Sequence, residues 1–466
     1  MRYPLALLAA AFLCLGARPP ETAGIFSSYS VVELTLKAPL ADLFAKDEDE
    51  DASVVGTLSY RDANGRDVVL DNVSVSERGN SSRQERECRF PKLRLRFEPG
   101  DAREASLFQN MSSVKIGTHC GNSPDDTLTP KYGRLANEHA PHREAFVYRL
   151  LDALGVRTLR ARPARIHYED TSTAARSTTT TRDAMLLEDE HEALKRLKAS
   201  GEIAPERFHS ARDEFSAADT IDLAFAEALV GNFDWCLKFE PADRYRCDAR
   251  RPLWNLLAFR FPDGTRAPLM YDFDLSGMVT GRHPWFPTIF NAAFLDSRSE
   301  PAVEVAAQLQ HLRSVFTRED LDAARRRFAA KKAAAYRALD EAAMDERGKR
   351  QATGYLEPFF AAMERDDAFY LPVVVRDRTP AFDDAAGTQA ACSSGPLPAG
   401  TPVSAPLSRQ RSMVQVVVLD ALWHFTGRAK CPTILKSPVW IDGGAISTDY
   451  PAADSAHRAA RSLAAR

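Results

Sequence analysis

Apolar and polar positions alternate along residues 30–36, 54–60, 68–75, 92–97 and 113–118, the period of strands with one covered face. Asn64-Gly65, between the second and third runs, is a hairpin turn signal. After the third run the alternation lapses into Ser76-Glu77-Arg78-Gly79-Asn80-Ser81-Ser82-Arg83, a loop rich in hydroxyls with one glycine. In Lys92-Leu93-Arg94-Leu95-Arg96-Phe97 the leucines fall on one face and the cations on the other, and Lys115 stands out in the same way between Val114 and Ile116.

The period then lengthens. Pro141 opens a predicted helix that carries Phe146, Val147, Leu150, Leu151 and Leu154 on one side and closes at Gly155. Residues 165–168 and 184–187 read as strands around a Ser/Thr-rich loop at 171–181. Asp219 is the expected cap of a second helix, with Ile221, Phe225, Ala228 and Leu229 inward and a stop at Gly231. Thr317 is expected to cap one long amphipathic helix, rich in Ala and Arg, that reaches about Gly348. The class is therefore α+β.

Length and composition narrow this. A chain of 466 residues exceeds one ordinary core, so more than one domain is expected. With 44% hydrophobic and 27% charged residues and a formal charge of −3, the chain is globular and lacks the basic excess of a nucleic-acid binder. Arg2 followed by an apolar run over residues 5–15 reads as a signal peptide of residues 1–17, which implies a secreted or periplasmic bacterial protein with no transmembrane segment. Six cysteines remain beyond it, and their order suggests local disulfides 88–120, 236–247 and 392–431.

The candidate chemistry gathers in Tyr271-Asp272-Phe273-Asp274-Leu275-Ser276-Gly277, directly after the apolar run Ala267-Pro268-Leu269-Met270. On a strand Asp272 and Asp274 would share a face, and two close carboxylates call for a cation between them. Ahead of it come the glycine loop, the basic strand and Gly231-Asn232-Phe233-Asp234. Phosphoryl transfer needs such parts: a cation on the phosphates, metal ligands and a carboxylate facing the attacking hydroxyl.

In family order over residues 30–290, the segments Arg78-Gly79-Asn80-Ser81-Ser82, Pro91-Lys92-Leu93-Arg94-Leu95, Arg143-Glu144-Ala145-Phe146, Gly231-Asn232-Phe233-Asp234 and Tyr271-Asp272-Phe273-Asp274 resemble the CotH kinase-like family, the spore coat protein H type of atypical protein kinase. The resemblance implies a two-lobed protein-kinase-like fold over residues 25–370 that uses ATP with Mg²⁺ or Mn²⁺. It implies Asp234 as the carboxylate orienting the acceptor hydroxyl, the Asp272/Asp274 stretch as the metal-binding segment, and Asn255 as a candidate second ligand. The loop residues Arg78, Gly79 and Asn80 would lie at the nucleotide. Lys92 or Lys115 would contact phosphate, Glu144 would pair with either lysine, and Met185-Leu186-Leu187-Glu188 would lie near the adenine.

The chain departs from the pattern where Asn255 follows Asp234 by 21 positions; an inserted loop closed at its base would restore the spacing. Residues 371–391 read as a linker, and 392–450, with the β-branched run 413–419 and Val439-Trp440-Ile441, resemble a small all-β SH3-like barrel ahead of a disordered tail at 451–466. The expected partner is a protein substrate or a component of the cell envelope. The rival expectation is a catalytically silent scaffold on the same fold, and transfer of a whole nucleotide is a third. The sequence leaves the acceptor and the oligomeric state open.

Overall fold

The computed structural model describes residues 24–45, 52–172, 178–204, 215–237, 253–281, 300–313, 316–391, 396–419 and 438–448. The expected signal peptide, Cys247, Cys392, Cys431 and the tail lie outside these residues, and with them the expected disulfides 236–247 and 392–431.

Seven strands form a closed barrel: β1 (Val32–Ala38), β2 (Ser53–Arg61), β3 (Asp67–Arg78), β4 (Lys92–Arg96), β5 (Ser113–Gly117), β6 (Ala161–Asp170) and β7 (Thr179–Glu188). Their order around the ring is β1-β2-β3-β4-β5-β7-β6, closed where β1 runs parallel to β6. The alternation decides which side chains face in. Leu34, Leu36, Leu58, Val75, Leu93, Leu95, Val114, Ile116, Ile166 and Leu186 fill the barrel. Lys92, Arg94 and Lys115 are thereby left on its outer wall. The disulfide Cys88–Cys120 ties the segment before β4 to the segment after β5, with the Cα atoms 4.4 Å apart.

The helix Ala140–Leu154 carries Pro141 in its first turn and ends on Gly155 at φ 77°. It packs against β6 and β7, joining Phe146, Leu150 and Leu151 to Met185 and Leu187 in a second core. That core continues through the helices Ala217–Val230, Glu300–Leu312, Arg318–Ala329, Lys332–Asp340 and Glu346–Glu364. Phe225 stacks on Phe328 and Phe369 at 5.6 and 5.8 Å between ring centroids. No helix among the described residues is long and apolar enough to cross a membrane.

Three expectations are corrected here. The second helix is capped by Ser216, whose side chain accepts the Asp219 N–H, while Asp219 itself pairs with Arg157. The single helix expected from Thr317 to Gly348 is three. Thr317 caps the first, but the chain turns at residues 330–331 and again at 341–345, where Asp345 accepts the Gly348 N–H and starts a new helix. Breaking the run lets each piece lay its own apolar side on the core, which one straight rod could not do.

The linker is also not one. Val373–Val374 pairs with Ile446–Ser447, Phe382 bonds in both directions with Trp440, and Val374, Ala381 and Ala391 are buried with Val414, Val416, Val439 and Ile441. The C-terminal unit thus begins at about residue 373, not 392, because its core needs those side chains. Among the described residues it holds a three-stranded antiparallel sheet, Ser408–Gln410, Met413–Val416 and Val439–Asp442. Val417 and Leu419 from this unit pack on Phe233, Val303 and Ala307.

Candidate active site

Lys92 begins β4 on the outer barrel wall and reaches across to the segment after the strand Arg266–Met270. Its ammonium lies 3.1 Å from Asp272 Oδ1 and 2.9 Å from Asp274 Oδ2. The two aspartates do converge, though not through a strand pleat. The strand stops at Met270, and Asp272 takes φ 66°, a left-handed conformation that costs a non-glycine residue energy and marks a constrained position. Two contacts hold it there: the Asp272 N–H donates to the Tyr148 hydroxyl at 3.0 Å, and Phe273, fully buried, meets the Tyr148 ring edge-on at 4.8 Å.

A second cation closes the cluster. Arg134 donates to Asp274 Oδ2 at 2.8 Å and to Ser81 Oγ at 2.8 Å, so the glycine loop is tethered to the aspartates. Gly79 turns that loop at φ 88°, where a Cβ would run into Ser82 Oγ. Asn80 leads into the short turn Ser81–Arg83, and Arg78 Nε donates to the Leu93 carbonyl. Glu144, buried in the first turns of the Ala140–Leu154 helix, lies in the field of the same group.

Burial sets the charges. It pushes the Glu144 carboxyl up to about 7, with Asp274 and Asp272 adding to the rise and Lys92 opposing it. Burial also disfavours the ammonium of Lys92, but Asp272, Asp274 and Glu144 outweigh it and hold Lys92 charged well beyond the usual lysine range. Asp274 is likewise desolvated, yet Arg134 and Lys92 keep it ionised far below the ordinary carboxylate range.

Asp234 follows the helix stop at Gly231, which takes φ 63°. Its N–H donates to Asn232 Oδ1 at 2.9 Å. Asn255 comes to it from the far side of the insertion, donating through Nδ2 to the Asp234 carbonyl at 2.6 Å and to Oδ2 at 3.0 Å. The long spacing is absorbed by a ladder, Leu237 opposite Leu253 and Cys236 opposite Trp254, which brings the two ends of the insertion together. Trp254 adds an indole N–H to Asp234 Oδ1 at 3.1 Å. Asn255 is linked in turn to the aspartate segment, for its carbonyl accepts the Tyr271 N–H at 3.4 Å.

Two expected residues lie elsewhere. Lys115 is buried against Glu190 and does not reach the aspartates; burial lowers its pKa although Glu190 opposes the shift. Glu188 is occupied by Arg196, with oxygens 2.8 and 2.7 Å from its Nε and Nη2, and accepts the Arg160 N–H at 3.0 Å. His119 is buried against Phe90, and burial lowers its pKa to about 4. Sequence reasoning missed Arg134, Tyr148 and Trp254. Arg134 lies in a loop without periodicity, Tyr148 reads as one more core aromatic, and Trp254 joins the site only through pairing across the insertion.

The donor set suits a hard divalent cation. One ammonium already bridges both carboxylates, which shows that a single positive centre fits between them, and its bonds use one oxygen of each. Among the described residues no three His, Cys, Asp or Glu side chains form a metal cage. Mg²⁺ does not require one, since it is commonly held by one or two carboxylates together with phosphate oxygens.

No protein-family model matches the sequence, and no curated protein matches it. Among solved structures the chain is similar to the proinflammatory kinase CtkA of Helicobacter pylori, at 11% identity over 58% of this chain and 90% of that one, with a TM-score of 0.30. It is also similar to a chain in the complex of the Shewanella oneidensis toxin–antitoxin system HipA, HipB and operator DNA, at 15% identity over 55% of this chain and with a TM-score of 0.27. The match spans 59% of that second chain.

Proposed function

We propose that the chain is an exported CotH-like kinase that transfers phosphate from a metal-bound nucleotide to a protein side chain. The observation that carries this reading is Lys92 bridging Asp272 and Asp274 from the barrel wall. Lys92 would bind phosphate oxygens, with the Glu144 carboxyl adding to the field that keeps it charged. Asp234, oriented by Asn232 and Asn255, would accept the hydrogen bond of the acceptor hydroxyl and take its proton as the new bond forms. Asp272, Asp274 and Asn255 would hold Mg²⁺ or Mn²⁺, which when bound would screen the charge on the phosphates. The C-terminal β unit would act as a tether to the cell envelope.

One observation favours the silent-scaffold reading: Lys92 and Arg134 between them pair with both aspartates. Thermal stabilisation by ATP with Mg²⁺ separates the two readings. A kinase shows a metal-dependent shift that Asp272→Ala or Asp274→Ala removes. Asp234→Asn keeps the shift and loses transfer. If the parent shows no such shift, the kinase reading fails; if it binds but transfers nothing, even to itself, the scaffold reading replaces it.

A further inference from the structure

We propose that Trp254 is a positioning residue for Asp234, a role that rests on the transfer reading above: its indole N–H and the Asn255 amide together fix the plane of the carboxylate that faces the acceptor. A carboxylate held by one donor can still swing about its own bond, whereas one whose two oxygens are bound by two different donors cannot. Trp254 Nε1 lies 3.1 Å from Asp234 Oδ1, and Asn255 Nδ2 lies 3.0 Å from Oδ2. The main chain of Asp234 is held as well, its N–H by Asn232 and its carbonyl by Asn255.

The placement of the indole is set by pairing. Trp254 lies opposite Cys236, two positions beyond Asp234, so it reaches Asp234 diagonally across the ladder at the base of the insertion. The residue stays 40% exposed, one of few large apolar side chains so placed among the described residues. A tryptophan serving only the core would bury that surface. Here its polar end is spent on the carboxylate, and part of the side chain stays exposed next to Asp234. The two donors are an indole N–H and an amide N–H, so each holds an oxygen of Asp234 without placing a charge of its own beside it.

The test uses the full chain, ATP with Mg²⁺, and casein or the chain itself as acceptor. Trp254→Phe keeps the ring and removes the N–H. It is expected to lower kcat about tenfold, the worth of one hydrogen bond to a charged group, while KM for ATP and the thermal shift by ATP with Mg²⁺ stay at the parent's values. Parent-like kcat, or a loss confined to KM for ATP, overturns the proposal. A second measurement is independent of activity: the indole ¹⁵N–H resonance that Trp254→Phe deletes should move when Asp234→Asn removes the charge. A resonance that stays in place overturns the contact. Should the parent transfer nothing, the proposed function fails by itself, and the resonance alone decides whether Trp254 holds Asp234.

Discussion

Lys92 and Lys115 stand on neighbouring strands of the barrel, on the same outer wall, and both are largely covered. Their surroundings differ in the number of carboxylates. Lys92 faces Asp272, Asp274 and Glu144, and remains charged beyond the ordinary lysine range despite burial. Lys115 faces Glu190 and, more weakly, Asp189, both of which it shares with Arg94, and burial prevails so that its pKa falls. The corner at Lys92 is an electrostatic cluster in which Lys92 and Arg134 share the oxygens of two aspartates. The corner at Lys115 is a smaller group, with two carboxylates already served by Arg94. Alternation along the strands treats the two lysines alike, and only the chain packed over each tells them apart.

The largest expected effect comes from breaking the first corner. Lys92→Met leaves Asp272, Asp274 and buried Glu144 with Arg134 and the field of Arg78, and Asp274→Ala leaves Lys92 and Arg134 desolvated without their shared oxygen. Removing one partner of a buried charged group costs roughly 3–5 kcal/mol. Urea unfolding of each variant against the parent measures it. A loss below about 1 kcal/mol would mean that the cluster is solvated and that the contrast with Lys115 is false.

Glu144 sharpens the contrast through pH. Its carboxyl is pushed up from 4.5 to about 7 in the folded chain, so between those values the folded state holds a proton that the unfolded state has released. Stability attributable to Glu144 is therefore complete below about 4.5 and declines as the pH rises to about 7. The full change is roughly 3 kcal/mol at about 1.4 kcal/mol per unit. Glu144→Gln removes the decline, so parent and variant unfolding curves should diverge across that window. Parallel curves would show that Glu144 is ionised throughout and that the cluster carries one more negative charge than stated.

Much of the site could be read from the chain, for reasons that are local. The alternation in Lys92-Leu93-Arg94-Leu95 put Lys92 outside the barrel, and the glycine at 231 ended a helix just ahead of Asp234. What could not be read depends on distant contacts. Closure of the barrel is a parallel pairing of β1 with β6, more than a hundred residues apart, which leaves no periodic trace in either strand. Arg134 reaches Asp274 from 140 positions away. The breaks after Ala329 and Asp340 fall in a sequence of good helix formers, where the need to wrap a core outweighs propensity. Residues 371–391 mix Pro, Asp, Ala and Gly as a linker does, and become structure only because Val374, Ala381 and Ala391 are covered by strands much later in the chain.

The smallest expected effect lies at Lys115. Replacing a buried ion pair's charged member by an apolar chain of similar length exchanges a desolvation cost for packing, which is often close to neutral when the remaining charge keeps a partner. Glu190 keeps one, since Arg94 Nη2 lies 3.9 Å from it, and Arg94 also holds Asp189 at 3.2 Å. Lys115→Met should therefore change stability by less than about 1 kcal/mol at neutral pH, against several for Lys92→Met. The two lysines also differ in sign at high pH. The lowered pKa of Lys115 means that the folded chain releases its proton before the unfolded chain does, so its contribution to stability grows as the pH climbs towards 10.5. The raised pKa of Lys92 gives a contribution that is complete below 10.5 and is lost only above it. Unfolding curves between neutral pH and about 10 should show the parent gaining on Lys115→Met and keeping a constant margin over Lys92→Met. If Lys115→Met proves as costly as Lys92→Met, Lys115 belongs to a charged cluster of its own, and Lys92 is no longer the distinctive cation of the barrel wall.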